Sequence, residues 1–167
     1  METKKVEVDT SLARNRIGAP PKEAEELTIL LIDHSASNKL ISRAVRQGGA
    51  YLHAILAALA PRGTIAIIFF SDHSDGDELM QEADYTIPGE RGVQILRASI
   101  DKVRDANGGD LPEAIECALL RASNLNFGKI PKEKRHLILV SDQVAHGMSG
   151  KGGQHDEGCP DQVHWKD

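Results

Sequence analysis

Three short apolar runs, each closed by an aspartate, constrain this chain more than any other feature. They are Leu27-Thr28-Ile29-Leu30-Leu31-Ile32-Asp33, Gly63-Thr64-Ile65-Ala66-Ile67-Ile68-Phe69-Phe70-Ser71-Asp72 and His136-Leu137-Ile138-Leu139-Val140-Ser141-Asp142. Their length and β-branched content are those of strands buried on both faces, as in a parallel sheet. Stretches with a helical period lie between them. Ile41, Ala44, Val45, Gly48, Leu52, Ile55, Leu56 and Leu59 predict a helix over about 39–59, ended by Pro61 and Gly63. Val93, Leu96, Ile100 and Val103 predict a second, closed by Asn107-Gly108-Gly109. Asp110-Leu111-Pro112-Glu113 opens a third: aspartate is a good N-cap, Glu113 sits at the capping-box position and proline suits a first turn. Tyr85-Thr86-Ile87 has the makings of a short edge strand before Pro88-Gly89. This alternation predicts an α/β fold with a doubly wound, mostly parallel, Rossmann-like sheet and right-handed crossovers.

At 167 residues the chain suits one domain with a proper core. Residues 1–26 are polar, with Pro20-Pro21 and a charged 22–26 run, and read as a leader or linker; 27–167 form the domain. A formal charge of -5 without a basic stripe argues against nucleic-acid binding through phosphates. No apolar signal core and no membrane-length apolar run is present, so a cytoplasmic location without membrane contact is expected. Cys117 and Cys159 form no framework and read as reduced thiols. His146, His155, Cys159 and His164 lack an anchoring Cys-x-x-Cys or His-x-x-x-His pair, so the Gly-rich end reads as a flexible loop and not as a zinc site.

In open α/β sheets, ligands bind beyond the carboxyl ends of the strands. Asp33, Asp72 and Asp142 all fall there, and Ser35 and Ser37 follow Asp33 at alternate positions. Carboxylates gathered at one place repel one another, and a divalent cation removes the conflict. Oxygen donors of this kind suit Mg²⁺, with Mn²⁺ or Ca²⁺ as related hard cations. The plainer alternative is structural: Asp33, Ser35 or Ser37 caps the following helix, and Asp110 belongs to the capping box with Glu113. A cap and a ligand are compatible roles, because an oxygen has more than one lone pair.

Asp33-His34-Ser35-Ala36-Ser37, Gly108-Gly109-Asp110-Leu111-Pro112-Glu113-Ala114 and Ser141-Asp142, in this order, resemble a von Willebrand factor type A domain with its metal-ion-dependent adhesion site. Phe70-Ser71-Asp72-His73-Ser74-Asp75-Gly76-Asp77, Val144-Ala145-His146-Gly147 and Gly158-Cys159-Pro160-Asp161 are similar to the group associated with alpha-kinases and its bacterial relatives. The resemblance implies a binding module and not an enzyme. Ser35 and Ser37 would contact Mg²⁺ directly, Asp33 and Asp142 would hold it through water, and Asp110 stands where many members place threonine. The remaining position would accept a carboxylate from a protein partner. The family's strand order puts the strands ending at Asp33 and Asp142 side by side, so Asp72, Asp75 and Asp77 read as an acidic turn. The family fold also continues beyond the point where this sequence stops, so the strand before Asp142 is expected to be an exposed apolar edge prone to self-association.

Two other classes fit less well. Mg²⁺-dependent phosphotransfer enzymes carry a second acid where Ser35 stands, and no phosphate-binding Gly-Lys-Ser/Thr loop or Gly-x-Ser-x-Gly elbow is present. A degenerate, metal-free docking domain is the third class.

Overall fold

The computed structural model describes residues 17–38, 43–44, 47–48, 58, 62–86, 90–104, 106, 112–145 and 159. Five of the positions inside the expected 39–59 helix are described, and all five are helical; the rest of that stretch lies outside the described residues.

Among the described residues, four strands form one sheet: β1 Glu26–Asp33, β2 Gly63–Phe70, β3 Met80–Thr86 and β5 Arg135–Val140, in the order β3-β2-β1-β5. β1 runs parallel to both β2 and β5, whereas β3 is antiparallel to β2. The sheet is therefore mixed, in an α/β architecture. Its central strands are the β-branched runs read from sequence, and β1 and β2 are almost wholly buried. Side chains alternate across them. Ile29, Leu31, Ala66, Ile68 and Phe70 face one core with Ile115, Ala118 and Ala122 of helix α2 (Ile115–Ser123). Leu30, Ile32, Ile65, Ile67 and Phe69 face the other with Ile100, the last residue of helix α1 (Glu90–Ile100), and Val103.

Three expectations change. β3 begins at Met80, well before Tyr85, because its polar residues find buried partners; Glu82, only 3% exposed, receives the Arg121 guanidinium. Ile17, within the expected leader, is packed in the first core, and its N–H donates to Glu82 Oε2 at 2.7 Å. The third apolar run is not buried on both faces, as its composition suggested, but lies at the exposed edge that the resemblance implied. Among the described residues β5 is an edge strand, and Leu137, Ile138 and Leu139 are 45%, 46% and 41% exposed.

A second, two-stranded parallel pair joins β4 (Pro112–Glu113) to β6 (Val144–Ala145), with Glu113 opposite Ala145. Helix α2 accordingly starts at Ile115, with Ala114 as its N-cap and no side-chain cap bond. The capping box expected at Asp110–Glu113 is not what starts this helix: Glu113 is committed to the β4–β6 pair. Asp110 itself, with Asn107-Gly108-Gly109, lies outside the described residues.

Candidate metal site at the carboxyl ends of the strands

The parallel strands β1 and β5 end in register, Ile32 opposite Val140, so the residues that follow them meet. Asp33 is fully buried. Its Oδ1 accepts the Ser35 N–H at 3.0 Å, and its Oδ2 accepts the Ser141 hydroxyl at 2.9 Å. The Ser35 and Ser37 hydroxyls are 3.1 Å apart, and Ser37 donates to Asp142 Oδ1 at 3.3 Å. Four of the five residues expected from sequence, Asp33, Ser35, Ser37 and Asp142, are thus linked by hydrogen bonds; the fifth, Asp110, is outside the described residues. Ser35 is buried, while Ser37 and Asp142 are exposed. The oxygens form a buried floor and an open rim.

The turn is held from below by His34, which is 1% exposed. Its Nδ1–H donates to Phe70 O at 2.8 Å, which leaves Nε2 to accept from the Gln81 amide at 2.9 Å. Gln81 also bonds the backbone of Arg104 on both sides of its amide, at 2.8 and 2.7 Å. Buried polar groups satisfied in this way fix a single arrangement of the loop.

Glu113 is the residue that sequence reasoning missed. It is 2% exposed, and burial, reinforced by the neighbouring Asp33 charge, pushes its carboxyl up to about 8; a hydrogen bond from Ser35 opposes the rise. Asp72 and Asp75 add to the repulsion, so the second-strand acids share the field of this site although they are one strand removed. Among the described residues, buried Glu113 Oε2 has no hydrogen-bond partner. The Asp110–Glu113 spacing hid this role because it is identical to that of a capping box. Ser141 is the other omission, and only the parallel pairing of β1 with β5 brings it to Asp33.

The donor set fits a hard divalent cation. It consists of oxygens only, carries several carboxylates, and leaves one buried carboxylate oxygen unmatched. Asp72 accepts the Ser74 N–H at 3.2 Å and caps the 3₁₀ turn His73–Glu78, in keeping with its reading as part of an acidic turn.

A separate cluster lies nearby. His73, Glu116, Cys117 and Cys159 bring one ligand atom each to within 4.8 Å of one another. The two cysteines, expected to be unrelated, have sulfurs 3.3 Å apart. His146, His155 and His164 are outside the described residues.

No family model and no curated protein matches this chain. Among solved structures it is similar to the pilus adhesin SpaC from Lactobacillus rhamnosus GG. One crystal structure of that adhesin gives a TM-score of 0.52 at 19% identity over 77% of this chain and 17% of the adhesin. Its open conformation gives 0.45 at 20% identity over 75% and 16%. The chain therefore spans less than a fifth of the adhesin, and likeness at this identity concerns the fold alone. Among the described residues, no helix is long and apolar enough to cross a membrane.

Proposed function

We propose that this chain is a von Willebrand factor A-like binding module, with the doubly wound sheet of that family, which uses Mg²⁺ to capture an acidic side chain of a partner protein. The observation that carries the reading is the convergence of Asp33, Ser35, Ser37 and Asp142 beside buried Glu113, whose Oε2 has no partner among the described residues. When bound, Mg²⁺ supplies the positive charge these acids share and a position open to an oxygen from outside. Ser35 and Ser37 present hydroxyl oxygens, Asp33 and Asp142 orient them, and Glu113 closes the floor. Asp110 belongs to the set on the family pattern. The module binds and does not catalyse, and its place is the cytoplasm, where its thiols stay reduced.

Titrating MgCl₂ into the protein while following thermal melting tests this. At a hundredfold excess over Kd, binding stabilises by about 2.7 kcal/mol, which for a chain of this size raises Tm by roughly 5–10 °C. Ser35→Ala is expected to abolish the shift. The absence of any shift with Mg²⁺, Mn²⁺ or Ca²⁺ would leave the metal-free docking reading in its place, and Mg²⁺-dependent hydrolysis of an aryl phosphate would favour the phosphotransfer reading.

Self-association through β5 is a further part of this reading. Leu137 and Leu139 on one side of the strand and Ile138 on the other are all exposed, an open apolar edge. The 167-residue chain is expected to show concentration-dependent oligomers by light scattering, and Ile138→Lys to suppress them. A monomer at every concentration contradicts this.

A further inference from the structure

We infer that His73, Glu116, Cys117 and Cys159 form a structural zinc site, separate from the oxygen-lined site and independent of the function proposed for it. Cys117 Sγ lies 3.6 Å and Cys159 Sγ 3.4 Å from His73 Nε2, and the two sulfurs are 3.3 Å apart. With Zn–S near 2.3 Å and Zn–N near 2.05 Å, a tetrahedral centre separates its ligand atoms by roughly 3.5–3.8 Å. The His73 nitrogen and the two sulfurs are already within about half an ångström of that spacing, and a Glu116 carboxylate oxygen lies within 4.8 Å of each of them. The sulfur separation is far beyond a disulfide bond of about 2.05 Å.

Glu116 supplies the independent observation. It is 2% exposed, and among the described residues neither of its carboxylate oxygens has a hydrogen-bond partner. A buried carboxylate left with nothing to bind is costly, and a cation in contact with it removes the cost. Two sulfurs and one imidazole nitrogen alongside that carboxylate make a donor set softer than the oxygen-only floor at Asp33, and such a set selects zinc over Mg²⁺. Four protein ligands leave no open position, which marks a structural and not a catalytic centre.

The topology explains what the metal would hold. His73 opens the turn that follows β2, and Glu116 and Cys117 sit in the first turn of α2. Cys159 lies 42 residues beyond Cys117 and 86 beyond His73. One ion would tie the segment carrying Cys159 to the sheet's carboxyl end, three residues from Glu113.

Protein purified without chelator is expected to carry one zinc per chain by elemental analysis. In buffered Mg²⁺, a zinc-selective chelator should lower Tm, and one equivalent of zinc should restore it. Replacing zinc with Co²⁺ in the intact protein should give the visible bands of a tetrahedral centre and a thiolate charge-transfer band. Glu116→Gln keeps the side-chain shape and is expected to weaken zinc binding more than about tenfold, the loss typical of removing even an outer partner of a metal. Ser35→Ala should leave zinc content unchanged, so failure of the Mg²⁺ reading and failure of this one are distinguishable. A chain that takes up neither zinc nor Co²⁺, or whose two thiols are found as a disulfide, overturns the proposal.

Discussion

Arg121→Ala is expected to destabilise the protein by about 3–5 kcal/mol, the range for removing one partner of a buried ion pair. Arg121, on α2, grips Glu82 of β3 with two nitrogens: Nε with Oε1, and Nη2 with Oε2 at 3.0 Å. The Glu82 side chain is 1% exposed and Arg121's is 18% exposed, so the carboxylate is the group left stranded. Glu82 Oε2 also takes the N–H of Ile17, so losing its geometry releases the segment that precedes β1. For a chain of this size the change corresponds to a fall in Tm of roughly 10–15 °C. Pairing Arg121→Met with Glu82→Leu should recover much of the loss, since no charge is then buried alone. Recovery should stay incomplete, because the Ile17 N–H loses its acceptor. A loss below about 1 kcal/mol for Arg121→Ala, as for an exposed pair, contradicts this account.

Glu113 governs the second large effect. Its folded-state carboxyl is raised from 4.5 to about 8 by burial and by Asp33, so the folded protein holds this proton more tightly than the unfolded chain does. The contribution of that proton is therefore fully present below pH 4.5 and is lost as the pH rises through about 8. In chelator, the parent should lose on the order of 2–4 kcal/mol across this window through this group, at about 1.4 kcal/mol per pH unit and with allowance for partial solvation. Glu113→Gln keeps an acceptor for Ser35 but cannot ionise. Its stability should be flatter with pH, and at pH 8 it should exceed that of the chelated parent. Mg²⁺ should reverse the order, stabilising the parent far more than the variant. Urea denaturation at pH 5 and pH 8, with and without Mg²⁺, reads all four states. Parallel pH profiles for parent and variant would remove Glu113 from the site.

The strands were legible because long β-branched runs have few alternatives to a buried sheet, and β1 and β2 follow their runs to within a residue or two. The Asp33-Ser35-Ser37 turn was legible because parallel strands bring their carboxyl ends to one side, and its meeting with Asp142 because the family resemblance implied that those two strands are neighbours. What escaped depends on partners distant in sequence. Gln81 and Glu82 look like loop residues until Arg104 and Arg121 satisfy them, so the start of β3 was hidden. Glu113 carried the spacing of a helix cap but pairs with Ala145 instead. The run at Leu137–Leu139 did not escape: its composition is that of a core strand, but the resemblance implied an exposed edge, and it is exposed beside β1. The zinc ligands share no local pattern beyond the adjacency of Glu116 and Cys117.

Asp33, Ser35, Ser37, Asp142 and Glu113 together make up the proposed hard-cation site. The most direct measurement is the anomalous difference density of crystals soaked in Mn²⁺. A peak is expected among the Ser35 and Ser37 hydroxyls and the Asp142 and Glu113 carboxylates, lost in Ser35→Ala. A map with no peak there, at Mn²⁺ concentrations that saturate other carboxylate sites on the protein, contradicts the proposed site.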